Sequence, residues 1–313
     1  MSSECRPKNS SETKCHCIFV VGALLIVALA QVVTLFGPFA GDDFFNLLNA
    51  LNSRESLWDL MQGFNIRSSD WFDGWLPPHV SDLRYFRPVF LLSLLADHAL
   101  WGVKAWGYHL TNILLHLCVT YFFFLVFREL SPAREKAALV AAVLFGLMDY
   151  HNTTVGWISG RTEILSGLGI IVAIWSFLRF TRSGRFTYYV LSLTAALIAF
   201  FSKENALILP LLIISVWWLG SNRSRPSFWW LVPFMAAVVP YLILRSAVLG
   251  GFHFPPKLPY YDFSETYGFL AWVAAKSVCV FYTLLLQGHL FFPTELFLRS
   301  EEHTSELQSR QSI

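Results

Sequence analysis

Apolar runs of membrane-spanning length recur along this chain, separated by polar turns. The first run, Ile18–Phe36, ends at Gly37-Pro38, and glycine and proline are strong helix breakers. Runs of about 18 or more apolar residues are typical of transmembrane helices. Further apolar runs lie at 107–127, 137–147, 164–180, 186–201, 206–219, 228–244 and 269–286. The pattern predicts an all-α, polytopic transmembrane helical bundle that begins after a short N-terminal segment, residues 1–17.

Composition supports this prediction and excludes one class of partner. Only 14% of the 313 residues are charged and 55% are hydrophobic, whereas soluble domains carry about 25% charged residues. The net charge is +2, and the basic residues form no stripe of the kind that binds nucleic acid. We therefore expect no nucleic-acid partner.

A long polar segment, residues 44–87, separates the first apolar run from the next. Its beginning is amphipathic, because Phe44, Leu47, Leu48, Leu51 and Trp58 recur at helical spacing. We predict a helix lying in the membrane interface within a long first outer loop. The following stretch, 89–101, is short for a span, so we expect it to pack against the membrane face.

The basic residues indicate the orientation of the bundle. Arg6, Lys8 and Lys14 precede the first apolar run, which places the N-terminus in the cytoplasm. The short outer turns carry only Arg161 and Lys203. The predicted inside loops carry Arg128, Arg134, Lys136, Arg179, Arg182, Arg185, Arg223 and Arg225.

Two adjacent carboxylates, Asp42 and Asp43, come directly after the first span. Charges held at this depth are costly unless they have a partner or a task, so the pair is a functional hypothesis; the alternative is that it merely solvates a helix end. Under the predicted topology, many other charged residues reach the same face. They are Arg84, Arg87, Asp149, His151, Arg161, Glu163, Lys203, Glu204 and Arg245.

Several of these polar residues have two interpretations. Arg84 and Arg87 suit bidentate phosphate binding, but they equally suit interface cations with apolar stems. His109, Asn112 and His116 share one helix face. For that face, helix packing is favoured over ligand contact.

The order of these motifs resembles the membrane glycosyltransferases of the GT-C superfamily. The branch it resembles is the transmembrane O-mannosyltransferases with tetratricopeptide repeats and, more broadly, the family 39-like enzymes. The matching stretches are Asp42-Asp43, Tyr85-Phe86-Arg87-Pro88, Gly107-Tyr108-His109 with Asn112 and His116, Ser159-Gly160-Arg161-Thr162-Glu163, Ser202-Lys203-Glu204, and Tyr241-Leu242 with Arg245.

The resemblance implies a reaction and its participants. A sugar, mannose or another hexose, passes from a polyprenyl-phosphate donor lying among membrane lipids to an extracytoplasmic acceptor, either a protein or a lipid or glycan. The membrane is the bacterial inner membrane or, in a eukaryote, the endoplasmic reticulum. Asp42 or Asp43 is the candidate base. Whether a divalent metal takes part stays open, because protein cations alone can hold a phosphate.

The resemblance also assigns the remaining outer charges. The candidate ligands of the donor phosphate are Arg87, Arg161, Lys203 and Arg245. Supporting roles fall to Arg84, His109, His151, Glu163 and Glu204. Glu163 and Glu204 are expected to orient Arg161 and Lys203.

Two other functions share these features. A transporter or flippase for lipid-linked saccharides would also need a lipid groove and cations, although it would carry essential charges near the midplane. An inactive membrane scaffold would keep the fold without the chemistry.

The last residues differ in character from the rest. Residues 299–309 correspond codon by codon to a translated sequencing-adapter read. We therefore expect 299–313 to be an artefact, the transmembrane domain to occupy 18–298, and the natural sequence to continue beyond Leu298.

Overall fold

A computed structural model describes residues 10–67, 84–219 and 226–251. The predicted run 269–286, the cations Arg223 and Arg225 and the tail 299–313 lie outside the described residues. The helices are α1 (Ser10–Gln31), α2 (Asp43–Asn52), α3 (Leu57–Gly63), α4 (Pro88–Trp101), α5 (Ala105–Leu130), α6 (Glu135–Gly146), α7 (Tyr150–Gly156), α8 (Arg161–Ser183), α9 (Phe186–Phe200), α10 (Leu209–Leu219), α11 (Val232–Ala236) and α12 (Val238–Leu249).

The chain is an all-α, polytopic membrane protein, as predicted. Four helical segments in the described part are long and apolar enough to cross a membrane: Ile18–Phe36, Ala105–Leu130, Ile158–Ser183 and Phe228–Leu249. Three shorter apolar helices accompany them, at Pro88–Trp101, Phe186–Phe200 and Glu204–Trp218. The predicted span at 137–147 is α6, a helix of 12 residues, which is shorter than the roughly 20 residues that a bilayer requires.

The polar segment after the first span contains one element that the pattern did not predict. Strand β1 (Asn65–Arg67) pairs antiparallel with strand β2 (Arg84–Phe86), with Ile66 opposite Tyr85. The predicted amphipathic helix is present as α2 and α3. Phe44 and Leu48 of its apolar face are exposed, while Asn46, Leu47 and Ala50 pack against the protein.

The centre of the bundle is the packing of α5, α8 and α9. Gly169 on α8 lies so close to α9 that a Cβ there would stand 2.8 Å from the Ala195 carbonyl oxygen and from the Ala199 Cβ. Small residues let membrane helices approach at this distance. The Ser192 hydroxyl, donating to the Ala173 carbonyl at 2.7 Å, joins the same two helices.

Contacts between helix ends agree with the predicted grouping of the loops. At the predicted inner end, Glu129 of α5 is buried and pairs with Arg179 at 3.0 Å and Arg182 at 2.7 Å, both on α8. At the opposite end, the backbone N–H of Val89 donates to the Phe201 carbonyl at 3.1 Å. The two loops predicted on the inner side thus meet at one end of the bundle, where Glu129 pairs with both arginines.

A buried ion pair joins α4, α5 and α8 near the predicted outer end. Arg161 has no exposed surface, and its guanidinium lies 2.6 Å from Asp97. It also donates to Asn112 Oδ1 at 2.6 Å and to the Tyr108 carbonyl at 2.8 Å. The Asn112 side-chain amide in turn donates to the Val155 carbonyl at 3.1 Å. One cation therefore ties α4, α5 and α8 together and, through Asn112, also reaches α7.

We expect Asp97→Asn to destabilise the protein by about 3–5 kcal/mol, because it leaves Arg161 charged and unpaired in the interior. The measurement is the thermal unfolding of purified protein in detergent. Glu55→Gln is the matched control, since it makes the same chemical change on an exposed side chain. An Asp97→Asn protein with the same melting temperature as the control would refute this role of the pair.

Candidate active site on the outer face

The backbone turn after the first span directs the two carboxylates. The helical path ends at Phe36, and Gly37 adopts an extended conformation with ψ of 143°. Gly41 has a φ of +57°, a left-handed conformation that glycine adopts without a steric penalty. Asp42 then caps α2, and Asp43 is its first residue.

Asp43 is held on both sides by protein hydrogen bonds. Its Oδ1 accepts from the Ser159 backbone N–H at 2.8 Å and from the Ser159 hydroxyl at 2.7 Å. Its Oδ2 accepts from the Ala40 N–H at 3.0 Å. The Asn46 side chain donates to the same Ser159 hydroxyl at 2.9 Å. With 2% exposure, Asp43 therefore fixes the turn to the start of α8.

Asp42 has a different environment, although it directly precedes Asp43 in the sequence. It is only half-buried, and its Oδ1 accepts from Trp157 Nε1 at 3.1 Å. Burial, and then the charge of Asp43, raise the pKa of the Asp42 carboxyl above its usual value. A carboxylate that is accessible and more basic than usual suits proton abstraction.

The Tyr85 hydroxyl is influenced by the charges of both Asp42 and Arg87. The guanidinium of Arg87 lies over the Tyr85 ring, 4.3 Å from its centre. Burial raises the pKa of the Tyr85 hydroxyl, the Arg87 charge lowers it, and the charges of Glu204 and Asp42 raise it further. The Tyr85 hydroxyl therefore lies within electrostatic range of both the carboxylate and the Arg87 group.

The cations of this face are paired with carboxylates. Arg87 lies 3.5 Å from Glu204, and Lys203 pairs with Glu163. Asn205 also donates to Glu163, at 3.0 Å. The sequence-based expectation that Glu163 orients Arg161 and Glu204 orients Lys203 is therefore wrong in its partners. Residues that are close in the sequence point in different directions at a helix end. Each carboxylate instead pairs with a cation from a distant segment, Glu163 with Lys203 and Glu204 with Arg87.

Arg245 lies within α12, about one turn before its end at Leu249. The predicted end of this span at 244–245 was therefore too early. The Tyr241 hydroxyl lies within reach of the charges on Arg245, Glu204 and Arg87. These three side chains belong to one group at the outer face.

Arg161 lies in the buried network described above, so the structure does not bring it into this group. Arg84 donates to the Leu249 carbonyl at 3.2 Å and so ties strand β2 to the end of α12. His109 is buried beneath Gly37, where its Nε2 would stand 3.1 Å from an added Cβ. All three positions serve the framework that presents Asp42.

His151 stands in a separate aromatic group. Its ring centre lies 4.9 Å from that of His116 and 4.6 Å from that of Phe145. Burial and the neighbouring His116 lower the pKa of His151 to about 4. The imidazole is therefore neutral at ordinary pH and brings no positive charge to the outer face.

The described part of the chain contains no group of three or more His, Cys, Asp or Glu side chains arranged to hold a metal ion. Both oxygens of Asp43 are occupied by N–H and O–H donors. The Asp42-Asp43 pair is thus a poor fit for a shared divalent cation.

Sequence reasoning gave no individual role to four residues that shape this site. Asp97 lies in the apolar stretch 89–101 and belongs to none of the quoted motifs. Trp157 and Ser159 fall in a turn whose contact with the Asp pair is not visible in the sequence. Tyr85 did leave a signal, because it stands two residues before Arg87 in an extended segment, and such residues share a side.

The chain is similar to several animal protein O-mannosyl-transferases. Tmtc1 of Drosophila melanogaster is 32% identical over 122 residues, which are 39% of this chain and 14% of that protein. Tmtc2 of Xenopus laevis is 31% identical over 163 residues, 51% of this chain and 19% of that protein. F38B6.6 of Caenorhabditis elegans is 23% identical over 250 residues, 76% of this chain and 34% of that protein.

This chain spans 14 to 34% of the length of these three relatives. No protein-family model matches it. The relatives are nevertheless all protein O-mannosyl-transferases, as the motif order had indicated. They confirm that this chain resembles the transmembrane O-mannosyltransferases.

Proposed function

We propose that this chain forms a glycosyltransferase site that moves a mannose or similar hexose from a polyprenyl phosphate to a protein hydroxyl. The observation that carries the proposal is the placement of Asp42, Tyr85, Arg87 and Glu204 within electrostatic range of one another at one end of a membrane bundle. The names of the relatives support a sugar transferred to protein. The face that holds the site is the extracytoplasmic one under the predicted orientation, with the N-terminus in the cytoplasm.

Asp42 acts as the general base in this reaction. Its carboxylate takes the proton from the acceptor hydroxyl, whose oxygen then bonds to the anomeric carbon of the sugar. The bond from that carbon to the phosphate oxygen breaks, and the electron pair leaves with the polyprenyl phosphate. Asp43 positions Asp42 through Ser159 and Ala40, and it does not exchange a proton with substrate.

Arg87, Lys203 and Arg245 stabilise the phosphate as it gains negative charge. Glu204 and Glu163 hold the Arg87 and Lys203 side chains in the absence of donor, so the donor phosphate competes with these carboxylates for the cations. Once the phosphate has displaced these carboxylates, the cations stabilise the negative charge that develops on it. In this scheme Arg161 is a positioning residue, because its guanidinium is enclosed by protein.

We expect Asp42→Asn to lower mannosyl transfer by about 10²- to 10⁴-fold while leaving the melting temperature unchanged, because only the proton acceptor is lost. Transfer from radiolabelled polyprenyl-phosphate mannose to a threonine peptide is the measurement. Asp43→Asn should instead lower the melting temperature, since it disturbs the Ala40 and Ser159 bonds. Glu55→Gln serves as the neutral control.

The same pair of variants separates the transferase from a lipid-linked-saccharide transporter. A transporter needs no base, so Asp42→Asn would still move the lipid-linked sugar across the membrane of a sealed vesicle. Retained sugar movement without any transfer in the unmodified protein would contradict our proposal.

We expect Trp157→Phe to shift the acidic limb of the kcat/KM profile to higher pH. The base must be ionised, and burial already raises the pKa of Asp42 above the usual Asp value of about 3.9. The Trp157 hydrogen bond favours the ionised form, so its loss raises that pKa further and activity disappears earlier as the pH falls.

Rates measured between pH 4 and 8 test this expectation. Trp58→Phe is the matched control, because Trp58 is 71% exposed and lies away from Asp42 on α3. An acidic limb in Trp157→Phe at the same pH as in the control would argue against Asp42 as the base.

A further inference from the structure

A polar cavity opens at the far end of α2 from Asp42. Its volume is about 300 Å³, at the lower limit for ligand sites. Helix α2, helix α3 and strand β1 surround it, so it belongs to the same outer loop as the carboxylate pair. The side chains that line it are Asn49, Asn52, Ser53, Asp59, Gln62 and Asn65.

The walls of this cavity are fixed by the protein itself. The Asn49 side-chain amide donates to the Gly63 carbonyl at 2.9 Å, and the Ser53 hydroxyl donates to the Asn49 carbonyl at 2.6 Å. Gly63 packs against Ser53 so closely that an added Cβ would stand 2.0 Å from the Ser53 Oγ. The end of α2 and the end of α3 are thus locked together around the opening.

Hydrogen-bonding groups lie in the wall and at the mouth of the cavity. Asn65 is only 9% exposed, and its Oδ1 has no hydrogen-bond partner within the described part of the chain. A buried polar atom of this kind needs a partner to offset its lost hydration. Asn52 and Gln62 are exposed at the mouth, and each carries one C=O and one NH₂ group.

The chemistry of the lining selects a neutral ligand with both donors and acceptors. Among the described residues, Asp59 is the one charged side chain of the lining. Its carboxylate accepts from the Ser56 hydroxyl at 2.5 Å, and its backbone N–H donates to the Ser56 Oγ at 3.0 Å. A single carboxylate among amides is a weak cation site. The described residues that line the cavity include no aromatic ring. Side-chain amides repeat the C=O and N–H of a peptide group and therefore match an extended polypeptide backbone.

The distance between Asp42 and the cavity determines which residue of a bound peptide would reach the cavity. Asn49 and Asn52 follow Asp43 by six and nine residues on one helix, so they lie about 9 and 14 Å along its axis. An extended chain rises about 3.3 Å per residue. A peptide whose hydroxyl meets Asp42 would therefore reach the cavity with its third or fourth neighbouring residue.

We propose that this cavity is a subsite for the acceptor polypeptide, which it holds by backbone hydrogen bonds three or four residues from the modified hydroxyl. This inference rests on the proposed function for its register, and it adds how the acceptor is recognised. Recognition through the backbone makes the subsite tolerant of acceptor sequence. Asn52 and Gln62 supply side-chain amides for these hydrogen bonds, because they are exposed at the mouth.

The test compares threonine peptides in the transfer assay. The tripeptide has one residue on each side of threonine, and two longer peptides add four residues on one side or the other. We expect one of the extensions to lower KM by about 5- to 30-fold, the effect of about two neutral hydrogen bonds. N-methylation of the backbone at the third and fourth residues should remove that gain.

The double variant Asn52→Ala/Gln62→Ala should lose the preference for the longer peptide and keep the kcat of the tripeptide. The matched control is Arg54→Ala/Glu55→Ala, which truncates two exposed side chains of the same loop outside the lining. Equal KM values for all three peptides in the unmodified protein would overturn the proposal. So would a preference that survives in Asn52→Ala/Gln62→Ala.

A binding measurement separates this inference from the proposed function. A labelled nine-residue peptide with alanine in place of threonine is titrated with protein in detergent without donor, and the fluorescence anisotropy is followed. Binding that weakens in Asn52→Ala/Gln62→Ala supports the subsite even where no transfer occurs, in which case only the proposed function fails. Binding of a mannose oligosaccharide, but not of peptide, through the same two side chains would overturn it in favour of a glycan site.

Discussion

The architecture of the outer face depends on a positive charge that is wholly enclosed by the bundle. Arg161 begins α8 with no exposed surface and contacts Asp97 of α4 and Asn112 of α5. Removing such a charge from water is costly, so it persists only with a counter-ion and hydrogen bonds on each side. Because its partners lie on two other helices, satisfying this one group fixes where α4, α5 and α8 meet, and the residues just before α8 are fixed with them.

That position determines what the neighbouring carboxylates can do. Ser159, two residues before Arg161, holds Asp43 through its N–H and its hydroxyl, and Trp157 donates to Asp42. Adjacent acids in the sequence thus receive opposite environments. Asp43 is saturated with donors and immobile, whereas Asp42 keeps an accessible oxygen and a raised pKa. The division follows from burial, because the same turn brings one side chain inward and leaves the other at the rim.

The sequence indicated the long apolar helices and the breaker at Gly37-Pro38, since these follow from hydropathy and local chemistry. It did not indicate that the predicted span at 137–147 is a helix of only 12 residues. It also indicated that His109, Asn112 and His116 share a buried face, which is a matter of helical period. It did not indicate the pairing of strands β1 and β2 or the pairing of Glu163 with Lys203. Each of these depends on contacts between segments that are distant in the chain, and charge alone does not choose among several nearby partners.

The paired cations explain how a strongly charged face can exist before substrate binds. Arg87 and Lys203 each stand beside a carboxylate, so the unliganded face is not a concentration of positive charge that would repel itself. The pairs are partly exposed and their attraction is weakened by water, which leaves them open to exchange for a phosphate group bearing more charge. Asp97 and Arg161 differ because they are enclosed, and no ligand reaches them. Burial therefore divides these ion pairs into two groups. The enclosed pair Asp97–Arg161 is a permanent part of the framework, whereas Arg87 and Lys203 can exchange their partners. In our proposal, only the second group binds the leaving phosphate.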